Sequence, residues 1–297
     1  MLDKKISDTY AAILKEELIP AMGCTEPISL AYAAAVARRT LGMLPETSEI
    51  VVSGNIIKNV KSVIVPNTGG LRGIQAAAAA GFVAGNADKE LEVLSDVSEA
   101  QKTEIAEYLE KQNITVKQSE SEHLFEIIVT VKASEHTAAV TVRDGHTNIT
   151  EITMDGETIF LSDKVQEEKN TADRSLLTIE NIVKYAEEAK LSEVKEILDR
   201  QIAYNTAIAE EGFRGNYGAG IGKILLKTSG NSVNNRAKAW AAAGSDARMN
   251  GCELPVVINS GSGNQGLTAS LPVIVYATEL NASPDELYRA LIVSNLV

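Results

Sequence analysis

The 297-residue sequence has few cysteines, few aromatic residues and no long hydrophobic run. Two cysteines, Cys24 and Cys252, cannot form a disulfide framework, and the first residues, MLDKKISDTY, contain no apolar core of a secretion signal. No apolar stretch reaches the roughly 20 residues that cross a bilayer. We therefore expect a soluble protein of the cytoplasm, where thiols stay reduced.

Positive charge is also scarce, because 28 Lys and Arg residues stand against 40 Asp and Glu residues, a formal net charge of -12. A surface that binds nucleic acid or an anionic membrane normally carries a basic patch, which this sequence lacks. We predict a small-molecule substrate as the partner, and neither nucleic acid nor a membrane.

The pattern of apolar residues predicts an α+β fold in which a small α/β module interrupts a mostly helical catalytic domain. The helical domain is expected at 1–96 and 165–297. The inserted module, at 97–164, combines one polar helix with a mainly antiparallel sheet. Within the first helical part, 49–58 and 61–66 are predicted as two strands.

The sequence also predicts a linker after the inserted module and a capped helix near the C-terminal end. The charged stretch SDKVQEEKNTADRS, 162–175, is a predicted linker, and NASPDELYRALIV is predicted to start as a helix capped by Ser283.

A glycine-rich stretch, INSGSGNQGLTASLP at 258–272, contains a G-x-G-x-x-G pattern. A dinucleotide-binding turn would need an unbroken helix and then a strand, but Pro272 falls inside that helix and the next segment reads as another helix. Two interpretations remain open: a cradle for a small anion built from Ser260, Ser262, Asn264 and glycine amides, or a tight turn between core segments.

Cys24, in the stretch MGCTEP, directly precedes a predicted helix whose first turn contains Thr25 and Glu26. Backbone N–H groups and the helix dipole favour a thiolate at such a position. The cysteine could bind a metal or cluster, act as a nucleophile, or be a small buried apolar residue. A zinc site is disfavoured because the sequence has no C-x-x-C spacing.

Two polar loops are further candidates. His146 lies in DGHTNIT, where it could be a general base or part of a hairpin turn. The stretch NTGGLRG at 67–73 could be a second anion cradle or a packing turn, and Lys58 and Asn59 precede it. If the two predicted strands pair as a hairpin, they bring Lys58 near these loops.

Several motifs together resemble one family: GCTEPISLAYAAAVA, KNVKSVIVPNTGG, GHTNI, GSDARM and SGSGNQG. The sequence is similar to L-cysteine desulfidases and to proteins like the L-serine dehydratase alpha chain. The resemblance implies a lyase that converts a small amino acid to pyruvate and ammonia and releases sulfide or water. It also implies a 4Fe–4S cluster held by three cysteines, whose open iron acts on the leaving group.

Residue by residue, the resemblance implies that Cys24 is a cluster ligand, and we assign catalytic roles to His146 and Lys58. We assign the substrate carboxylate to the glycine-rich amides with Ser262 and Asn264. The expected substrate-binding residues are Thr25, Glu26, Asn59, Ser260, Ser262, Asn264 and Gln265.

The sequence departs from the family at its end. Members of the family continue past the position of Val297 into a segment with the remaining cluster cysteines, so we expect this chain to be a truncated piece without a bound cluster and inactive. Cys252 does not match the family's cysteine motifs and is expected to be a packed thiol.

Three questions stay open from the sequence. The substrate is L-cysteine or L-serine, and the state of assembly, including a homo-oligomer, is undecided. Two other functions also remain: a non-catalytic protein that binds or senses an amino acid, and an enzyme whose nucleophile is Cys24 with His146 as its base.

Overall fold

The computed structural model describes residues 2–111, 113–162 and 172–297. The predicted linker therefore lies largely outside the described residues. The α-helices are α1 (Lys4–Glu17), α2 (Thr25–Leu41), α3 (Gly54–Val60), α4 (Gly73–Ala84), α5 (Glu99–Lys111), α6 (Ile179–Glu188), α7 (Lys195–Arg214), α8 (Ile221–Ser229), α9 (Val233–Met249), α10 (Gly263–Glu279) and α11 (Pro284–Leu296). The strands are β1 (Pro20–Met22), β2 (Thr47–Val52), β3 (Asn113–Gln118), β4 (Glu126–Ala133), β5 (His136–Arg143), β6 (Ile149–Met154), β7 (Glu157–Leu161) and β8 (Pro255–Val257).

The chain folds into two compact units. The helical unit contains Met1–Ala21 and Glu168–Val297, and the sheet unit contains Met22–Glu167. These units do not coincide with the predicted stretches 1–96, 97–164 and 165–297, because helices α2 to α4 belong to the same unit as the large sheet. The functional division into a catalytic domain and an inserted module stays a prediction.

The sheet unit is built on a six-stranded sheet with the order β3-β2-β4-β5-β6-β7. Strands β2 and β3 pair in parallel, and the pairs from β2–β4 to β6–β7 are antiparallel. On β4 the β-branched residues Ile127, Val129 and Val131 are fully buried at every second position, as expected for a strand that buries one face. The predicted α+β fold is confirmed.

Helices α2 and α4 form the close-packed helical layer of the sheet unit. Both are rich in alanine, and a Cβ atom added at Gly81 would lie 2.2 Å from the carbonyl oxygen of Ala31. The two backbones thus approach so closely that only glycine fits at this crossing. The run of alanines in α4 thus serves close helix packing.

The core of the helical unit collects the inner faces of α1, α6, α7 and α11. Tyr10, Leu14, Leu198 and Leu291 are at most 1% exposed, and the Tyr10 ring meets Tyr185 edge to face. Helix α11 begins with the predicted capping box, in which Ser283 and Glu286 satisfy each other's backbone N–H groups.

The two strands predicted at 49–58 and 61–66 are only partly correct. Strand β2 ends at Val52, and the following residues form α3, which buries Ile56 and Val60 on one face at a spacing of four residues. Within 61–66 only Ile64 forms an isolated bridge, with Arg72. The proposed hairpin that would place Lys58 is therefore wrong.

Two helices in the helical unit differ from the sequence interpretation. Helix α8 was not predicted, because glycines surround it. Helix α10 continues through Pro272, so a break at this proline is wrong. Proline removes one N–H of the helical ladder, and burial of the neighbouring Leu271 and Val275 offsets that loss.

Candidate functional site

Cys24 occupies the N-cap position of α2 with an extended backbone (φ -80°, ψ 133°) and is 7% exposed. Its thiol donates a hydrogen bond to Glu26, with a distance of 2.9 Å between Sγ and Oε2. The sequence places both groups together because a residue at the cap and one in the first helical turn point to the same end of the helix.

The Glu26 carboxylate is the centre of a polar cluster. Its Oε2 also accepts from the Thr25 hydroxyl at 3.2 Å, and its Oε1 accepts from the Asn59 amide of α3 at 3.0 Å. Partial burial acts to raise the pKa of Glu26, but hydrogen bonds from Cys24, its own backbone N–H and Asn59, with the charge of His146, lower that pKa below its ordinary value. The cluster therefore contains an ionised carboxylate at neutral pH.

This carboxylate changes the chemistry expected of Cys24. The helix N-terminus favours a thiolate, whereas a negative charge 2.9 Å away favours the protonated thiol that donates to it. A cation at Sγ would reverse the balance, because a bound metal displaces the thiol proton.

His146 lies in the loop between β5 and β6 and contacts the start of α2. The Ser29 hydroxyl donates to the His146 carbonyl at 2.5 Å, and the imidazole packs edge to face on Phe125 with 4.9 Å between ring centroids. The loop is thus bonded to the second turn of the helix that Cys24 caps. His146, Cys24, Thr25, Glu26 and Asn59 belong to one neighbourhood.

Lys58 is exposed on α3, one residue before Asn59. Within the described ranges, no hydrogen bond or ion pair involves its ammonium group, and its catalytic role stays a prediction.

The turn at 67–73 uses its side chains for its own structure. The buried Asn67 amide donates to the Leu94 carbonyl, and the buried Thr68 hydroxyl donates to the Val65 carbonyl, both at 2.7 Å. These contacts support the packing-turn interpretation, because the polar groups are already bonded inside the protein.

The glycine-rich segment of the helical unit begins with a tight turn. Asn259 and Ser262 exchange backbone hydrogen bonds of 3.1 and 2.9 Å, and the two central residues, Ser260 and Gly261, have φ values of 49° and 71°. Two positive φ angles are typical of a type I′ turn, which most side chains disfavour. Ser260 thus holds a strained backbone conformation.

The turn leads directly into α10. The Ser262 side chain caps the helix by accepting from the Gln265 N–H at 3.4 Å, and Gln265 itself is exposed. Buried Arg248 donates to the Asn264 side-chain oxygen at 3.0 Å, and a Cβ atom at Gly263 would lie 2.2 Å from Arg248 Nε. The first turn of α10 is therefore fixed by close packing against Arg248.

Buried amide side chains behind this turn were missed from the sequence. Asn205 is fully buried on α7. Its Nδ2 donates to the carbonyls of Val257 at 3.2 Å and Gly266 at 3.3 Å, and to Ser270 Oγ at 2.9 Å. Its Oδ1 accepts from the Val257 N–H at 2.8 Å. The weak signal in the sequence is a pair of polar residues, Gln201 and Asn205, four apart on the inner face of a helix.

Cys252 is 3% exposed in the helical unit, and burial raises the pKa of its thiol. The two cysteines thus lie in different units. Within the described ranges no group of three or more His, Cys, Asp or Glu side chains could hold a metal ion. A 4Fe–4S cluster ordinarily takes about three or four thiolates, so the residues described here do not fit a cluster by themselves.

None of the described helices is both long enough and apolar enough to span a membrane.

The sequence is similar to one described family and to several bacterial proteins. Residues 88–297 match the family described as "Serine dehydratase alpha chain". A UPF0597 protein of Desulfitobacterium hafniense is 55% identical over 290 residues, which are 97% of this chain and 67% of that protein. A UPF0597 protein of Lachnoclostridium phytofermentans is 47% identical over 285 residues, 96% of this chain and 68% of that protein. A third, from Treponema denticola, is 45% identical and covers 100% of this chain and 70% of its own length.

Proposed function

The chain belongs to the serine dehydratase alpha-chain family, and from that premise we propose that the whole protein is a β-eliminating lyase for L-serine or L-cysteine. In this reaction a base removes the α-proton, the β-hydroxyl or β-thiol leaves with its bonding electrons, and the resulting aminoacrylate is hydrolysed to pyruvate and ammonia. The observation that carries the proposal is the Cys24–Glu26 cluster at the start of α2.

Within the sheet unit, His146 is our candidate for the base that takes the α-proton. Imidazole is the most common general base of enzymes, and the loop that carries His146 is bonded to the second turn of α2 through Ser29. Glu26 positions Cys24, Thr25 and Asn59 by accepting from all three.

Within the helical unit, the first turn of α10 is our candidate for the substrate carboxylate. The N–H groups of Gly263 and Asn264 have no carbonyl four residues earlier in the helix, and a helix N-terminus favours negative charge.

A 4Fe–4S cluster remains our proposal for the whole protein, with Cys24 as one ligand, although the thiols of this chain do not complete a ligand set. No step above passes through it. We also expect a cytoplasmic location, where an oxygen-sensitive group and free thiols are kept reduced.

Pyruvate release by the whole protein, purified and supplied with iron and sulfide without oxygen, tests the proposal with L-serine and L-cysteine in parallel. We expect Cys24→Ala and His146→Gln each to lower kcat by at least about a hundredfold. Cys252→Ser, which changes the buried thiol of the other unit, is the matched control and should keep activity.

Other outcomes would identify the alternatives. Pyruvate release that survives Cys24→Ala would contradict the assigned site. Activity that is lost on alkylation of Cys24 but independent of iron would indicate a cysteine nucleophile. Amino-acid binding without any turnover would indicate a non-catalytic binding protein.

A further inference from the structure

The hydroxyl of Ser260 has a fixed direction in the type I′ turn. It donates to Asn259 Oδ1 at 2.8 Å. A hydroxyl has one proton, so once that proton is donated the oxygen offers only lone pairs to the surrounding solvent. Ser260 is an exposed residue.

The orientation of the Asn259 amide is in turn determined by its other partners. Its Nδ2 donates to the backbone carbonyl of Asn295 at 3.1 Å and to Asn295 Oδ1 at 3.0 Å. A backbone carbonyl can only accept, so rotating the amide by half a turn would set two oxygens against each other. Oδ1 must therefore face Ser260.

Asn295 is itself held by Gln201 on α7. The two amides exchange hydrogen bonds of 2.9 and 2.8 Å, and Asn295 also donates to the Leu291 carbonyl at 2.8 Å. Gln201 is fully buried, and Asn259 and Asn295 are 4% and 8% exposed. We name these three residues the amide relay.

Packing alone does not account for this arrangement. Apolar side chains would join α7 to α11 without the desolvation that buried amides require. Glycine at position 260 would also relieve the positive φ angle at no steric cost. The turn instead keeps a serine at this strained position, and Asn259 takes its hydroxyl proton.

We propose that the amide relay makes Ser260 an obligate hydrogen-bond acceptor that recognises the α-ammonium group of the amino-acid substrate. This inference rests on the proposed function. It makes Ser260 a specificity residue, and Asn259, Asn295 and Gln201 positioning residues. In this proposal Ser260 binds the ammonium group of the substrate, and the first turn of α10 binds its carboxylate.

The test compares two ligands that differ only in the ammonium group. For Ser260→Ala in the whole protein, we expect KM for L-serine to rise about ten- to a hundredfold, the value of a hydrogen bond to a charged group. The inhibition constant of 3-hydroxypropanoate, which lacks the ammonium group, should change less than about twofold. Equal losses for both ligands would overturn the assignment.

A double-mutant cycle separates positioning from general stability. Asn259→Ala should raise KM for L-serine, and the double variant Asn259→Ala/Ser260→Ala should be no weaker than Ser260→Ala alone, because the relay acts only through the serine. Additive effects would contradict the relay. Ser294→Ala is the matched control, since it removes a hydroxyl bonded to the Ala269 carbonyl beside Asn295 and should leave KM unchanged.

If the wild-type protein releases no pyruvate, the proposed function fails, but ammonium recognition by Ser260 can still be tested by binding. Calorimetry on the 297-residue chain would then compare L-serine with 3-hydroxypropanoate. Binding of L-serine that weakens selectively in Ser260→Ala supports ammonium recognition. The absence of any preference for L-serine overturns it.

Discussion

Glu126, at the start of β4, is a carboxylate with a 1% exposed side chain. Its Oε1 accepts from Arg143 Nε at 2.7 Å, and its Oε2 accepts from Ser121 at 2.7 Å and from Ser119. Burial acts to raise the pKa of this carboxyl, but the hydrogen bonds from the two serines and Arg143 lower it below its ordinary value of 4.5. The hydrogen bonds of the folded protein therefore favour the ionised form of Glu126.

The shifted pKa predicts how stability depends on pH. Because the folded-state pKa is lower than the unfolded-state pKa, Glu126 contributes stability above the ordinary value, and this contribution is lost as pH falls through the folded value. We expect Glu126→Gln to lower the free energy of unfolding at pH 7 by about 2–3 kcal/mol and to flatten the decline of Tm in acid.

Thermal unfolding of both proteins across the acid range measures this effect. Glu107→Gln is the matched control, because it neutralises an exposed carboxylate paired with Lys111 on α5 and should change stability by less than about 0.5 kcal/mol. Parallel Tm curves for wild type and Glu126→Gln would refute the role given to this carboxylate.

At the scale of elements, each unit contains a helix crossing that only glycine permits. In the sheet unit α4 meets α2 at Gly81, and in the helical unit α7 meets α9 at Gly212, where an added Cβ would lie 2.1 Å from the Ala243 carbonyl oxygen. Real Cβ atoms do not approach so closely, so a methyl group at either position must push two backbones apart.

We expect Gly81→Ala to destabilise the sheet unit by about 2–4 kcal/mol, because overpacking against backbone cannot be relieved by a side-chain rotation. Gly54→Ala on α3 is the control, since its Cβ would meet only the flexible Gln118 amide at 3.5 Å. Chemical denaturation measures both variants, and equal stability of the two would show that α2 and α4 can separate at no cost.

Elements were predictable from the sequence where local pattern and packing agree. The alternation of apolar residues identified β3 to β7, and the Ser283–Glu286 spacing identified the start of α11. The stretch after Val52 was misread because Ile56 and Ile57 favour a strand on their own, whereas burial of Ile56 with Val60 selects a helix.

The residues of the candidate site also differ in how far the sequence alone could predict them. Cys24 and the 259–265 segment have local signals, a cysteine before a helix and a glycine-rich turn. The partners that give these groups their chemistry come from distant sequence: Asn59 for Glu26, and Asn295 and Gln201 for Asn259. A single asparagine in a helical pattern does not indicate which backbone group it will meet, so the amide relay could not be predicted.

At the scale of the whole molecule, the β7 edge of the large sheet presents exposed apolar residues that could pair with another chain. Strand β7 is the last of the sheet, and within the described residues no strand pairs with its outer side. Ile159, Phe160 and Leu161 are 60%, 45% and 61% exposed. Natural edge strands usually carry a lysine, a proline or a bulge against pairing with another chain. The register of β7 on β6 shifts between Ile152 and Thr153, but the three exposed residues offer neither charge nor proline.

The N–H of Ser162 donates to the carbonyl of Thr150 in β6. Because N–H groups alternate in direction along a strand, the N–H of Leu161 points away from the sheet. Another strand would bond to this N–H, and a lysine at position 161 would have to bury its charge in that pairing. We therefore expect Leu161→Lys to raise the temperature at which light scattering begins. Leu124→Lys makes the same change at a 76% exposed leucine in the loop before β4 and should have little effect. If both variants shift the onset temperature of light scattering equally, the added charge alone is responsible. If neither variant shifts it, the net charge of -12 already keeps copies apart and the edge of β7 does not cause aggregation.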